Sequence, residues 1–212
     1  MTGPRVMFTG DSITDCHRRE TDNPLGYGYP LLVAGQWGMR RPQESPEWMN
    51  TGISGDTLAG LGGRWRADVL DARPDVVSIL IGINDTGYRF SFGHDEVSAD
   101  VFRAGYRRLL EPLADVQLVL IEPFLLPVKE EQWTWRPDLD AKIQVVRELA
   151  REFGARLVAA DGLFAELAAG NKNPEHWLFD GVHPTPAGHA ALADAWLRQL
   201  TSPSAVSTSV RR

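Results

Sequence analysis

The segment Asp75-Val76-Val77-Ser78-Ile79-Leu80-Ile81 sets the terms for the rest of this chain. It is a nearly continuous apolar run of strand length. A strand of that kind has both faces covered, as in a parallel sheet packed between helices. The spacing predicts strands over 5–9, 48–50, 75–81, 116–121 and 156–160. Between and after them, apolar residues at helical intervals predict helices starting at Tyr29-Pro30 and running through Trp37, then over 57–70, 97–114, 138–153, 163–169 and 185–200. Residues 16–28, 40–46, 90–95, 124–137 and 170–184 read as loops, rich in Asp, Asn, Pro and Gly or lacking periodicity.

Strands therefore alternate with helices five times. That alternation implies a three-layer α/β/α, flavodoxin-like, doubly wound five-stranded parallel sheet. No composition shift divides the 212 residues, so residues 1–200 are expected to form one domain and 201–212, rich in Ser, Thr and Pro, a disordered tail. The net charge of −6, without a basic run in the body of the chain, argues against nucleic acid as the main partner. No run approaches the ~18 apolar residues of a membrane span, so no membrane partner is expected. Cys16 is the only cysteine, which excludes an intramolecular disulfide. The N-terminus enters a strand without an apolar stretch and cleavage site, so the chain is expected to be cytoplasmic, or a mature form whose leader has been removed.

The chemistry-bearing residues fall at the strand ends. Val6-Met7-Phe8-Thr9 runs into Gly10-Asp11-Ser12, where the glycine permits a sharp turn and Ser12 lands just past the strand. Taken alone, this stretch also suits a turn with an Asp or Ser helix cap. Gly52-Ile53-Ser54-Gly55 follows the second strand, and Gly82-Ile83-Asn84-Asp85 the third. Asp180 and His183 lie in the loop before the last helix. Ligands of open α/β sheets bind at the carboxyl ends of the strands. These residue types there suit acyl transfer: a serine hydroxyl needs a base, a histidine base needs a carboxylate to hold one tautomer, and the developing oxyanion needs preset donors. Ser12, His183 and Asp180 are the candidates for the first three roles. The N–H groups of Ser12 and Gly55 and the side-chain amide of Asn84 are the candidate oxyanion donors, with Gly52 as a competing assignment for the glycine.

These four blocks, in this order across nearly the whole chain, resemble the SGNH (GDSL-type) hydrolases. The resemblance implies Ser12 as nucleophile, His183 as base, Asp180 as its orienting carboxylate, and Ser12, Gly55 and Asn84 as the oxyanion hole. It is closest to bacterial carbohydrate acetyl esterases, including acetylxylan esterases. Three departures from those esterases bear on the substrate: Asp56 where Asn often follows, Thr86-Gly87-Tyr88 in place of a bulkier run, and Phe179 where Trp is common.

The expected activity is thus hydrolysis of short acyl esters, most of all acetyl, of a small molecule or oligosaccharide, without cofactor or metal. Thioesters and lysophospholipids are the alternative substrates, and a non-catalytic carbohydrate-binding module is the alternative of another class. Tyr27, Tyr29, Phe90, Phe92, Trp133, Trp135, Trp177 and Phe179 are expected near the same edge, where aromatic walls would suit a sugar. Tryptophan-bearing loops and the resemblance also admit a homo-oligomer. Cys16 is expected in the first helical turn as a small packed apolar residue.

Overall fold

In a computed structural model, which describes residues 3–170 and 173–201, five strands form one parallel sheet. In chain order these strands are β1 (Arg5–Gly10), β2 (Glu47–Asn50), β3 (Val76–Leu80), β4 (Gln117–Ile121) and β5 (Arg156–Val158), and their order across the sheet is β2-β1-β3-β4-β5. That is the flavodoxin-like winding, whose direction reverses between β1 and β3. Phe8 pairs with Asn50 on one side and Ser78 on the other, and Leu80 with Gly10 and Ile121, so β1, β3 and β4 end level with one another. The loops after β1 and β3 therefore flank the switch point, where such sheets bind ligands. Of the tail expected at 201–212, Thr201 instead ends the last helix, and 202–212 lie outside the described residues.

The helices are α1 (Ser12–Asp15), α2 (Tyr29–Arg40), α3 (Leu58–Trp65), α4 (Ile83–Phe92), α5 (Ala99–Leu110), α6 (Arg136–Glu152), α7 (Ala160–Ala169) and α8 (Pro186–Thr201). Alternate strand residues feed two apolar cores. Val6, Phe8 and Leu80 pack with Tyr29 and Val33 of α2, Phe164 of α7 and Trp196 of α8. Met7, Val77 and Ile79 pack with Leu61 and Trp65 of α3, Phe102 and Tyr106 of α5 and Leu149 of α6. The period-2 switch of faces along each strand is what builds a three-layer structure from consecutive apolar residues. Ser78, the polar residue in β3, is fully buried and accepts from Trp196 Nε1 at 2.9 Å.

Several boundaries differ from the sequence-based expectation. No helix was expected immediately after β3, yet α4 runs to Phe92, into the predicted loop at 90–95. Asn84, Asp85, Thr86, Gly87 and Ser91 are poor helix formers; tertiary bonds support them. The Asp85 carboxylate accepts the Leu58 N–H at 3.0 Å, and Thr86 Oγ1 donates to Asp138 Oδ2 at 2.6 Å. Gly93, left-handed at φ 68°, ends the helix. The predicted loop at 124–137 holds a 3₁₀ segment, Glu130–Trp135, that leads straight into α6. Pro112 lies in a 3₁₀ turn, Glu111–Leu113, so α5 stops at Leu110 instead of 114. β5 is only three residues long, and α7 begins at Ala160 rather than 163.

Candidate active site

β1 can end where it does because residue 10 is glycine. Its φ is +150°, and a Cβ there would meet Leu80 O at 2.0 Å. Asp11 then caps α1, its Oδ1 accepting the Ile13 N–H at 3.0 Å. This leaves Ser12 at the first position of the helix, with its N–H outside the helical ladder. Asp11 is fully buried and its Oδ2 has no partner among the described residues. Burial pushes its carboxyl up to about 7, opposed by the Ile13 N–H and the nearby His183 charge.

Ser12 Oγ lies 3.0 Å from His183 Nε2, although the two residues are 171 positions apart. His183 sits in a bend closed by its own carbonyl, which accepts the Phe179 N–H at 2.8 Å. Asp180 organises that bend. Its Oδ1 accepts the Val182 N–H at 3.0 Å and the His183 N–H at 2.8 Å, while Oδ2 lies 2.8 Å from His183 Nδ1. Gln132 Nε2 donates to Asp180 O at 2.6 Å and anchors the bend from the segment before α6. A carboxylate at Nδ1 keeps the proton there and turns the Nε2 lone pair toward Ser12. Burial alone would raise the Asp180 carboxyl, but the His183 ring and the two N–H donors together hold it well below the usual carboxylate range. The bond to Asp180 raises His183 above its ordinary value of 6.5, against an opposing effect of burial.

The structure brings Gly55 and Asn84 to the same edge. Gly55 is left-handed at φ +81°, and its carbonyl accepts the Tyr88 hydroxyl at 2.7 Å. Among the described residues its N–H has no acceptor. The N–H of Gly52 is already donated to Asn50 Oδ1 at 2.9 Å, so of the two glycines Gly55 has the donor to spare. Asn84, in the first turn of α4, donates one amide hydrogen to Asp56 O at 2.8 Å. A side-chain amide has two such hydrogens, which leaves one unassigned. The turn between these residues is held from several sides, with Ser54 N–H on Asp15 Oδ2 at 3.0 Å and Arg64 on Asp56 at 2.8 Å. Tyr88, Asp15 and Arg64 were not singled out as site residues from the sequence. Their contacts are long-range bonds to backbone groups and neighbouring carboxylates, which leave no local pattern.

Two cavities meet at His183. One, of about 530 Å³, is lined by Asn84, Tyr88, Phe90, Phe92, Trp135 and His183. The other, of about 430 Å³, is lined by Ser12, Cys16, Tyr27, Phe179, His183 and His189. Phe90 and Trp135 stack at 6.1 Å with an interplanar angle of 15°. The expected aromatic wall is therefore smaller than its sequence list. Tyr29 is fully buried in the core, and Trp133 and Trp177 line neither cavity.

Cys16 also departs from expectation. α1 is a single turn, and Cys16 ends it at φ 38°, half-buried, with Sγ 3.5 Å from His189 Nε2. Burial raises this thiol and lowers His189 to about 4. A third, apolar cavity of about 790 Å³ lies between α3 and α5 and reaches Asn84 and Tyr88 at its inner end. Among the described residues no three His, Cys, Asp or Glu side chains converge to hold a metal ion, and no helix is long and apolar enough to cross a membrane.

A sequence profile for the GDSL-like Lipase/Acylhydrolase family matches residues 8–191. An acetylxylan esterase from Geobacillus stearothermophilus is 34% identical over 210 residues, spanning 94% of each chain. The crystal structure of a variant of an acetyl xylan esterase from the same organism superposes with a TM-score of 0.86 at 34% identity, covering 94% of this chain and 95% of the other. Versions of that esterase with a histidine or an aspartate replaced by alanine are described as catalytic mutants. An alpha/beta hydrolase enzyme from the metagenome of Lake Arreo, Spain, superposes with a TM-score of 0.84 at 28% identity, covering 93% and 95%.

Proposed function

Since the chain belongs to the GDSL-like Lipase/Acylhydrolase family and is a carboxylic ester hydrolase, we propose that it removes acetyl groups from a carbohydrate through a Ser12 acyl-enzyme. The observation that carries the mechanism is the continuous bonded path Ser12 Oγ, His183 Nε2, His183 Nδ1, Asp180 Oδ2, with steps of 3.0 and 2.8 Å. The Geobacillus relative has its catalytic aspartate and histidine three residues apart, the spacing of Asp180 and His183.

In this reading Ser12 Oγ attacks the acetyl carbonyl carbon while His183 Nε2 takes the hydroxyl proton. The oxyanion accepts from the N–H groups of Ser12 and Gly55 and the free amide hydrogen of Asn84. Such donors act because they are aimed before the charge develops. The sugar leaves as an alcohol, protonated by His183, and acetyl stays on Ser12. Water then adds to the ester carbonyl, gives its proton to His183, and acetate departs as Ser12 regains the proton. Asp180 stabilises the imidazolium in both halves. The stacked Phe90 and Trp135 beside the His183 side of the site supply a flat face for a sugar ring.

A second reading has one specific support. The apolar cavity between α3 and α5 begins at Asn84 and would accept a long acyl chain, as a lysophospholipase or thioesterase needs. The test is hydrolysis of p-nitrophenyl esters from acetate to dodecanoate, together with acetylated xylo-oligosaccharides, by the wild type and Ser12→Ala. The expected result is highest kcat/KM on acetate, turnover of the acetylated sugars, and none of either in Ser12→Ala. A preference for long chains favours the second reading. Undiminished activity in Ser12→Ala overturns the serine mechanism.

A further inference from the structure

Arg64 touches neither the triad nor either cavity at His183, yet its guanidinium bonds the segments that carry Ser12 and Gly55 and, through Asp56, reaches the residue that holds the third candidate donor, Asn84. The side chain rises from α3 and is 15% exposed. Its Nη2 donates to Gly10 O at 3.1 Å, at the end of β1 two residues before Ser12. Its Nη1 donates to Thr51 O at 2.6 Å, where β2 leaves the sheet for the Gly55 turn. Nε donates to Asp56 Oδ2 at 2.8 Å, and Nη2 lies 2.8 Å from the same oxygen. Asp56 directly follows Gly55, and its carbonyl holds the Asn84 amide. The remaining Nη1 hydrogen goes to Asp68 Oδ2 at 2.6 Å. A guanidinium has five N–H donors in a rigid plane, and here four of them make hydrogen bonds while Nη2 also pairs with the Asp56 carboxylate.

We infer that Arg64 is a positioning residue that sets the oxyanion hole by locking the Gly10, Thr51 and Asp56 segments to one another. The inference rests on the serine-esterase reading above. Gly55 has no side chain, so the aim of its N–H is decided by its neighbours. Asp56 is the neighbour with a charge, and Arg64 holds its Oδ2 while the Thr57 N–H holds Oδ1. Asn84 depends on the same residue, because its amide is oriented by Asp56 O. One side chain therefore ties together segments whose donors come from three separate strand ends, while Asp15 and Tyr88 hold the Gly55 turn from its other sides. A lysine could not substitute. It is a point charge with three donors and cannot bridge two backbone carbonyls and a carboxylate in one plane.

The experiment compares wild type, Arg64→Lys, Asp68→Asn and Ser12→Ala on p-nitrophenyl acetate well below their unfolding temperatures. Active sites are titrated with diethyl p-nitrophenyl phosphate. A phenylboronic acid, which adds to a serine Oγ as a tetrahedral anion, reports on oxyanion binding. Loss of one whole oxyanion donor costs roughly 10²–10³ in kcat, so misaiming them is expected to lower kcat of Arg64→Lys by about 10- to 100-fold.

KM should stay at the wild-type value, titration should still give one site per chain, and boronate affinity should fall in step with kcat. Asp68→Asn, which removes only the outermost partner, should behave as wild type. The inference is overturned by unchanged kcat in Arg64→Lys, by a rise in KM alone, or by a loss of activity fully matched by a loss of titratable sites. Activity retained in Ser12→Ala overturns this inference together with the serine-esterase reading. An inactive Ser12→Ala beside a fully active Arg64→Lys overturns this inference alone.

Discussion

At the scale of residues, the candidate site is a bonded chain of Ser12, His183 and Asp180, which the proposed mechanism uses as a proton path. Asp180 raises His183 above 6.5, and in the proposed mechanism the working form of His183 is the neutral one. The rate therefore climbs as pH rises through this raised pKa, later than an unperturbed histidine would allow. Asp180→Asn removes the charge that favours imidazolium. The inflection in kcat/KM should move to lower pH while its plateau drops by roughly two to four orders of magnitude, as for loss of the orienting carboxylate in other triads. A pH profile of both proteins checks this, and an inflection that stays in place on substitution would contradict it.

Ser12, Asn84, Asp180 and His183 were legible in the sequence because each stands in a short block beside a glycine or proline at a predicted strand end or loop. The sequence favours Gly55 over Gly52 only by its place deeper in the turn, and the physical ground for that choice was not legible. It depends on which N–H is already bonded, and the acceptor of the Gly52 N–H is a side chain on β2. Arg64 was invisible for a related reason. From sequence it is one polar residue on a helix, and its function lies in backbone carbonyls at Gly10 and Thr51.

At the scale of elements, the strands were legible from apolar runs and α4 was not. Its ten residues include a glycine and several caps-and-turns residues, so local propensity is set against helix. The bonds of Asp85 to Leu58 N and of Thr86 to Asp138 reverse that preference. One signal was available in Gly93, a helix-terminating glycine one residue past Phe92. The consequence is functional, since Asn84 and Tyr88 are aimed by α4 rather than by a loop. β3 makes a second element-scale point. Ser78 interrupts an apolar strand, and the buried indole N–H of Trp196 on α8 depends on it. Ser78→Ala should leave that N–H without an acceptor and cost about 1–3 kcal/mol. The measurement is a lowered urea midpoint at unchanged m-value, and an unchanged midpoint would contradict the account.

At the scale of the whole molecule, alternation of strands and helices was enough to predict a doubly wound sheet, and the winding explains the site. β1 and β3 are adjacent although β2 lies between them in sequence. Ser12 and Asn84 thereby flank the switch point, and the loop before α8 brings His183 across to meet Ser12. The two apolar cores hold the sheet from both sides, so Ser12 and Asn84 stand just past the ends of strands packed on both faces.

The central claim is that Ser12 is the nucleophile of this esterase. It is tested most directly by treating the protein with diethyl p-nitrophenyl phosphate, digesting it, and locating the label by mass spectrometry while following acetyl-ester hydrolysis. The account predicts one diethylphosphoryl group per chain, on Ser12, with activity lost in proportion to labelling and no label in His183→Ala. Label on another residue, or full labelling with activity intact, would contradict it.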